Sequence, residues 1–278
     1  MSSPLLSPEA LAAELADPRL VLLDARAGAD AHDRFRAQHL EGARFVSGDH
    51  DLATPVDPAK GGRHPLPSLD AFAATLARLG IDRSSRVVVY DDKNGTNPAA
   101  RAWWMLRAFG LDARVLDGGL AAALTSGIPV GSGEPAIAAS SPITIDRWRL
   151  PTVSIDRIEA LSNAPSVPIL DARSAARHRG DADPFDPRPG HIPHTMNAPH
   201  EGSLDASGRM LDPSVLRARF DALLGTHTPS EAIVYCGSGI TACHLLLAME
   251  HAGLPGAALY VGSFSEWTRT GRPVATGA

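Results

Sequence analysis

One stretch gathers the residues that can do chemistry: Ile233-Val234-Tyr235-Cys236-Gly237-Ser238-Gly239-Ile240-Thr241-Ala242-Cys243. A short β-branched and aromatic run ends at a cysteine. Two glycines follow, and an apolar stretch of helical character runs from Ala242 to Met249. That order predicts strand, tight loop, helix, with the thiol at the strand's C-terminal end. Gly237 and Gly239 permit backbone angles that a β-carbon would forbid, so the loop can turn its amides toward the sulfur. The N-terminus of the following helix adds positive potential at the same point. A thiol so placed is expected to favour the thiolate, its nucleophilic form. The competing reading is an inert core cysteine; the glycine-rich turn into a helix favours the nucleophile. Ser238 and Thr241 add hydroxyl groups to the loop.

The loop resembles the active-site loop of the rhodanese superfamily. Within that superfamily it is most similar to the 3-mercaptopyruvate sulfurtransferases, whose usual form is Cys-Gly-Ser-Gly-Val-Thr. Thiosulfate sulfurtransferases typically carry Arg-Lys where this chain has Gly237-Ser238. Asp171-Ala172-Arg173, Gly190-His191-Ile192-Pro193 and Asp117-Gly118-Gly119 also resemble rhodanese signatures, so the likeness spans almost the whole chain. It implies a Cys236 persulfide that carries sulfur from a small-molecule donor to a thiol, such as thioredoxin or a small thiol, or to cyanide. It further implies that Arg177 and Arg188 hold the donor, beside Gly237, Gly239, Ile240 and Thr241. A Ser–His–Asp arrangement would comprise Ser238, His39 and Asp30, with Asp33 as the alternative carboxylate. Arg173 is read as an internal ion-pair partner. No cofactor is implied. The loop's lack of charge favours 3-mercaptopyruvate over the thiosulfate dianion, and thiosulfate:cyanide sulfur transfer is the nearest alternative. Phosphatases that share the fold place an arginine six positions after the cysteine; here that residue is Ala242. A non-catalytic interaction module is a third reading, and the intact Cys236 argues against it.

The elements needed to position this loop recur twice. Leu20 to Leu23, Arg86 to Tyr90, Val115-Leu116, Pro168 to Leu170 and Ile233 to Tyr235 read as strands, and Leu259-Tyr260-Val261-Gly262-Ser263 closes the second pattern. Helical patterns lie between them, at Pro8 to Leu15, Ser68 to Leu79, Pro98 to Phe109, Ile155 to Leu161 and Val215 to Leu224. Asp24 and Asp171 are 147 residues apart, and Asp91 and Cys236 are 145 apart, which argues for a duplicated domain. The predicted fold is α/β: two tandem rhodanese-like domains, each a mainly parallel sheet flanked by helices. The expected boundaries are 1–128 for a domain lacking the cysteine, 129–148 for a linker and 149–278 for the catalytic domain. Asp91 stands where the second half has Cys236, and a carboxylate cannot form a persulfide.

A net charge of −5 gives no electrostatic footprint for nucleic acid. No apolar run approaches the roughly 20 residues that span a bilayer. The N-terminal Met-Ser-Ser-Pro-Leu-Leu-Ser-Pro-Glu lacks a basic region followed by an apolar core. Two cysteines, Cys236 and Cys243, cannot build a disulfide scaffold, so a reducing compartment, the cytoplasm, is expected. The histidines show no metal-ligand spacing, and no metal site is expected.

Overall fold

The computed structural model describes residues 3–95 and 98–277; Met1 and Ser2, part of the N-terminal stretch read above, lie outside the described residues. The chain divides into two units. The first holds the residues up to Thr54, Leu66–Arg149 and Ser207–Arg209; the second holds Pro55–Pro65, Leu150–Ala206 and the chain from Met210 onward. This differs from the sequence expectation in two ways. The segment Pro55–Pro65, from the first half of the chain, belongs to the second unit. The stretch 129–148 is no free connector but part of the first unit. Its strand Val130–Gly131 pairs antiparallel with His39–Leu40, and Ser140 N donates to the Ala77 carbonyl at 2.9 Å. Backbone groups that find partners hold a Gly/Pro/Ser-rich stretch in place despite its linker composition.

In the first unit the described strands are β1 (Leu5–Leu6), β2 (Leu20–Asp24), β3 (His39–Leu40), β4 (Arg44–Phe45), β5 (Arg86–Tyr90), β6 (Asp112–Leu116) and β7 (Val130–Gly131). The main sheet is wholly parallel, in the order β1-β6-β5-β2-β4. The helices are α1 (Pro8–Glu14), α2 (Ala31–Ala37), α3 (Leu69–Arg78), α4 (Pro98–Ala108) and α5 (Gly119–Thr125). Ser7 and Ser68 cap α1 and α3 by accepting the amides of Ala10 and Ala71, each at 3.2 Å. Valines 87–89 of β5 are buried without alternation, as expected for a strand covered on both faces.

The second unit repeats the plan with β8 (Thr152–Val153), β9 (Ile169–Asp171), β10 (Met196–Asn197), β11 (Ile233–Tyr235) and β12 (Ala258–Tyr260). Its sheet is parallel, in the order β8-β12-β11-β9-β10, which matches the first strand for strand. The helices are α6 (Ile155–Asn163), α7 (Ala175–Arg179), α8 (Pro213–Leu224), α9 (Thr241–His251) and α10 (Ser263–Trp267). The core gathers Ile158, Leu161, Ile169, Ile233, Tyr235, Tyr260, Phe264 and Trp267. No described helix is long and apolar enough to cross a membrane.

The repeat extends to buried polar detail. Arg26 grips Asp24 with two bonds of 2.7 Å, and Arg173 grips Asp171 in the same way at 2.6 and 3.0 Å. Each arginine also reaches a backbone carbonyl, Gln38 or Gly190. Where the first unit has Gly42 at φ +75°, the second has His194 at φ +61°, a left-handed residue where glycine would be less strained.

Candidate active site

Cys236 follows the last residue of β11, at the carboxyl end of the parallel sheet where ligands of such folds bind. It is buried, 2% exposed. The loop that follows is shaped by close backbone approaches. A β-carbon at Gly239, φ +82°, would lie 2.4 Å from the Val261 carbonyl oxygen, so only glycine fits there. That conformation lets the Gly239 amide donate to Cys236 Sγ at 3.2 Å. The backbone behind the thiol is pinned by α10. Cys236 N donates to Ser263 Oγ at 3.1 Å, Phe264 N to the Cys236 carbonyl at 3.0 Å, and Ser265 N to the Gly237 carbonyl at 2.8 Å. Ile240 and Thr241 stand half-buried at the loop's end, where α9 begins. Cys243 Sγ donates to the Gly239 carbonyl at 3.3 Å, a turn-local bond of a buried thiol.

Cations converge on the loop from two directions. A β-carbon at Gly237 would meet Arg177 Nη2 at 2.9 Å and Arg63 Nη2 at 3.1 Å. Arg177, expected from the resemblance to hold the donor, comes from α7. Arg63 comes from the Pro55–Pro65 segment and was not anticipated. Arg188, the second arginine expected here, spends its guanidinium on the Thr268 carbonyl at 2.9 and 3.0 Å. The loop itself carries no charge, but its surroundings do, so the charge argument drawn from the loop alone is incomplete.

The arginines are held by buried carboxylates. Asp183 accepts from Arg177 at 3.0 Å and from Arg173 at 3.2 Å. Asp186 accepts from Arg63, from Arg269 at 2.7 Å and from Arg177 at 3.5 Å. Beneath them, burial works to raise the Asp171 carboxyl, but Arg173 and a 3.0 Å bond from His178 Nδ1 hold it well below the usual range. In the first unit the equivalent Asp24 lies above the usual range, because burial dominates over Arg26. Phe35 there occupies the place of His178 and offers no donor.

The histidine bonded to Ser238 was not anticipated. Ser238 Oγ bonds His64 Nδ1 at 2.8 Å, and His64 lies next to Arg63 in the same segment. Within the first unit, His39 Nδ1 bonds the Phe35 carbonyl at 2.8 Å and its ring stacks on Phe35 at 4.2 Å. His191 repeats this pose in the second unit, with Nδ1 on the His178 carbonyl at 2.8 Å and the rings stacked at 3.8 Å. His39 and His191 thus hold matching poses in the two units, each with a carbonyl and not a carboxylate at Nδ1. Asp30 is exposed and pairs with Arg34 at 3.2 Å, and Asp33 is exposed on the same helix. The position matching Cys236, Asp91, caps its own loop, accepting from the amides of Lys93 and Gly95 at 2.8 Å and of Ala99 at 3.1 Å.

Sequence reasoning missed Arg63 and His64 because they sit in a glycine- and proline-rich stretch with no periodicity. Gly61-Gly62 immediately before two basic residues was the one available signal. Gly62 has φ +82°, and a β-carbon there would lie 2.3 Å from the Gly262 carbonyl oxygen, so glycine is what lets the segment dock. Arg63 N completes the docking with a 3.0 Å bond to Ser265 Oγ. Among the described residues no group of three or more His, Cys, Asp or Glu side chains could hold a metal ion.

The description of the rhodanese-like domain matches residues 7–125 and 154–270. A Pseudomonas aeruginosa protein named "Probable 3-mercaptopyruvate sulfurtransferase" is 40% identical over 285 residues, covering 99% of each chain. A Mycobacterium tuberculosis protein that carries the name thiosulfate sulfurtransferase SseB is 38% identical over 255 residues, covering 89% of this chain and 87% of its own. The solved structure of 3-mercaptopyruvate sulfurtransferase from Leishmania major superposes with a TM-score of 0.84 at 30% identity, covering 98% of this chain and 75% of that one.

Proposed function

The chain belongs to the rhodanese family, and on that footing we propose that it is a sulfurtransferase that takes sulfur from 3-mercaptopyruvate onto Cys236 and passes it to a thiol or cyanide, releasing pyruvate. One observation carries the reading. The Cys236 sulfur, the Ser238–His64 pair and the guanidinium groups of Arg177 and Arg63 meet at a single glycine-shaped loop.

The thiolate of Cys236 attacks the donor's sulfur, forming a sulfur–sulfur bond. The carbon–sulfur bond breaks, and its electron pair passes to the carbon as the enolate of pyruvate. The donor's thiol proton then goes to that carbon, leaving pyruvate and Cys236–S–S⁻, so atoms and charge balance. The Gly239 amide already aimed at Sγ supplies a fixed dipole for the persulfide charge. Ser238 and His64 form a relay of hydroxyl and imidazole that can move the proton. The guanidinium forks suit the donor's carboxylate, which they bind in a bidentate manner. A thiol acceptor such as thioredoxin or a small thiol then attacks the outer sulfur and regenerates Cys236. A reducing cytoplasm suits an enzyme whose nucleophile must stay a free thiol.

Thiosulfate as donor is the second reading. The two guanidinium groups over Gly237 favour it by supplying cations that the loop lacks, and one relative's name points the same way. The test is steady-state kinetics with both donors, together with mass spectrometry of the protein after a single exposure to each. The expected result is a higher kcat/KM for 3-mercaptopyruvate and an adduct of about 32 Da, one sulfur atom, on Cys236. No adduct in the wild type, or an equal adduct in a folded Cys236→Ser variant, would remove the proposal.

A further inference from the structure

Arg63 has no part in the arrangement that the family resemblance implied, yet it is as close to the loop as Arg177. Its backbone is fixed by the glycine-dependent docking of Gly62 and by Ser265. Its guanidinium pairs with Asp186, whose side chain has no exposed surface. Arg63 and Arg177 each keep 22% of the side chain exposed, so both can still be reached by a ligand. The exposed ring of Phe185 lies 5.6 Å from the Arg63 guanidinium carbon and 5.2 Å from that of Arg177. Two forks therefore border one glycine, next to the nucleophile, with an aromatic face beside them.

We propose that Arg63 is a donor-binding residue that shares the donor's carboxylate with Arg177, and that the buried aspartates behind the pair tune the site to a singly charged anion. This rests on the sulfur-transfer reading above. The linked cluster comprises four guanidinium groups, Arg63, Arg173, Arg177 and Arg269, against three carboxylates, Asp171, Asp183 and Asp186. One positive charge is left over, which matches a monocarboxylate and falls short of a dianion such as thiosulfate. Asp186 touches three of the four arginines and so has the most leverage on that balance.

The experiment measures kcat/KM for 3-mercaptopyruvate, for its carboxylate-free analogue mercaptoacetone, and for thiosulfate. It uses the full chain as wild type, Arg63→Gln and Asp186→Asn, with thermal unfolding to establish that each is folded. Arg63→Gln is expected to cut the preference for 3-mercaptopyruvate over mercaptoacetone at least tenfold, chiefly through KM. Asp186→Asn, which leaves two net positive charges, is expected to raise the thiosulfate to 3-mercaptopyruvate ratio at least fivefold. A folded Arg63→Gln with the wild-type preference, or one that loses all three donors equally, overturns the assignment. If Arg63→Gln does not fold, Asp186→Asn decides: an unchanged donor ratio overturns the proposal. Failure of the sulfur-transfer reading itself is a different result, seen in the wild type as no turnover and no adduct with any donor.

Discussion

His244, on the helix that leaves the Cys236 loop, gives a quantitative test of how that helix is held. Its side chain is fully buried, and neither ring nitrogen has a hydrogen-bond partner among the described residues. The groups facing it are His200, whose ring lies edge-on at 5.7 Å, Arg219 and Glu201. Burial, reinforced by His200 and Arg219, lowers its pKa from the ordinary 6.5 to about 3. The folded chain thus keeps this imidazole neutral through mild acid, while the unfolded chain protonates it. Because the unfolded state binds the extra proton, stability falls as pH drops below about 6.5, and the loss is complete only below about pH 3. At pH 5 the loss is about 2 kcal/mol, at roughly 1.4 kcal/mol per pH unit. Two unpartnered nitrogens add about 1–3 kcal/mol at any pH. His244→Leu removes both terms at nearly constant volume. In urea unfolding the variant is expected to be more stable by about 1–3 kcal/mol at pH 7.5, and by about 2 kcal/mol more than that at pH 5. An equal difference at the two pH values would refute a buried neutral histidine, and a less stable variant at pH 7.5 would show that the nitrogens have partners.

Three further outcomes bear on the site. His64→Ala is expected to lower kcat with 3-mercaptopyruvate about a hundredfold, the scale of a lost acid–base group, whereas His39→Ala is expected to lower the thermal midpoint; equal kcat losses in two fully stable variants would reject the assignment of roles. Gly237→Ala keeps an ordinary backbone, since Gly237 is not among the positive-φ glycines, but its methyl must push the ends of Arg177 and Arg63 aside. KM is therefore expected to rise about tenfold, equivalent to about 1.4 kcal/mol, and an unchanged KM would place the donor elsewhere. Gly62→Ala cannot be accommodated against the Gly262 carbonyl; limited proteolysis is expected to cut within Pro55–Pro65 far faster than in wild type, and resistance equal to wild type would argue against glycine-dependent docking.

What the sequence determined by itself is the repeated α/β plan and the turn that carries Cys236. Arg86–Tyr90 and Ile233–Tyr235 were readable as strands because unbroken β-branched runs are a local signal, and Cys236 was readable because its glycines announce the turn. Helix α2 escaped notice, since Phe35 is its one large apolar residue, and the two-residue edge strands are too short for any period to show. The stretch 129–148 has linker composition, yet its hydrogen bonds to the first unit are made by backbone, which composition does not encode.

Only the tertiary structure shows that His64 and Arg63 lie against the loop. His64 and Ser238 are 174 residues apart, and Arg63 and Asp186 are 123 apart. Those pairings exist because Gly62 lets one backbone pass against another, a condition that depends on what lies opposite. His39 and Arg188 kept family-like neighbours in the sequence but found carbonyl partners in the fold. Local patterns fix what a residue can be, while the hydrogen-bond partner that settles its role is supplied by chain distant in sequence.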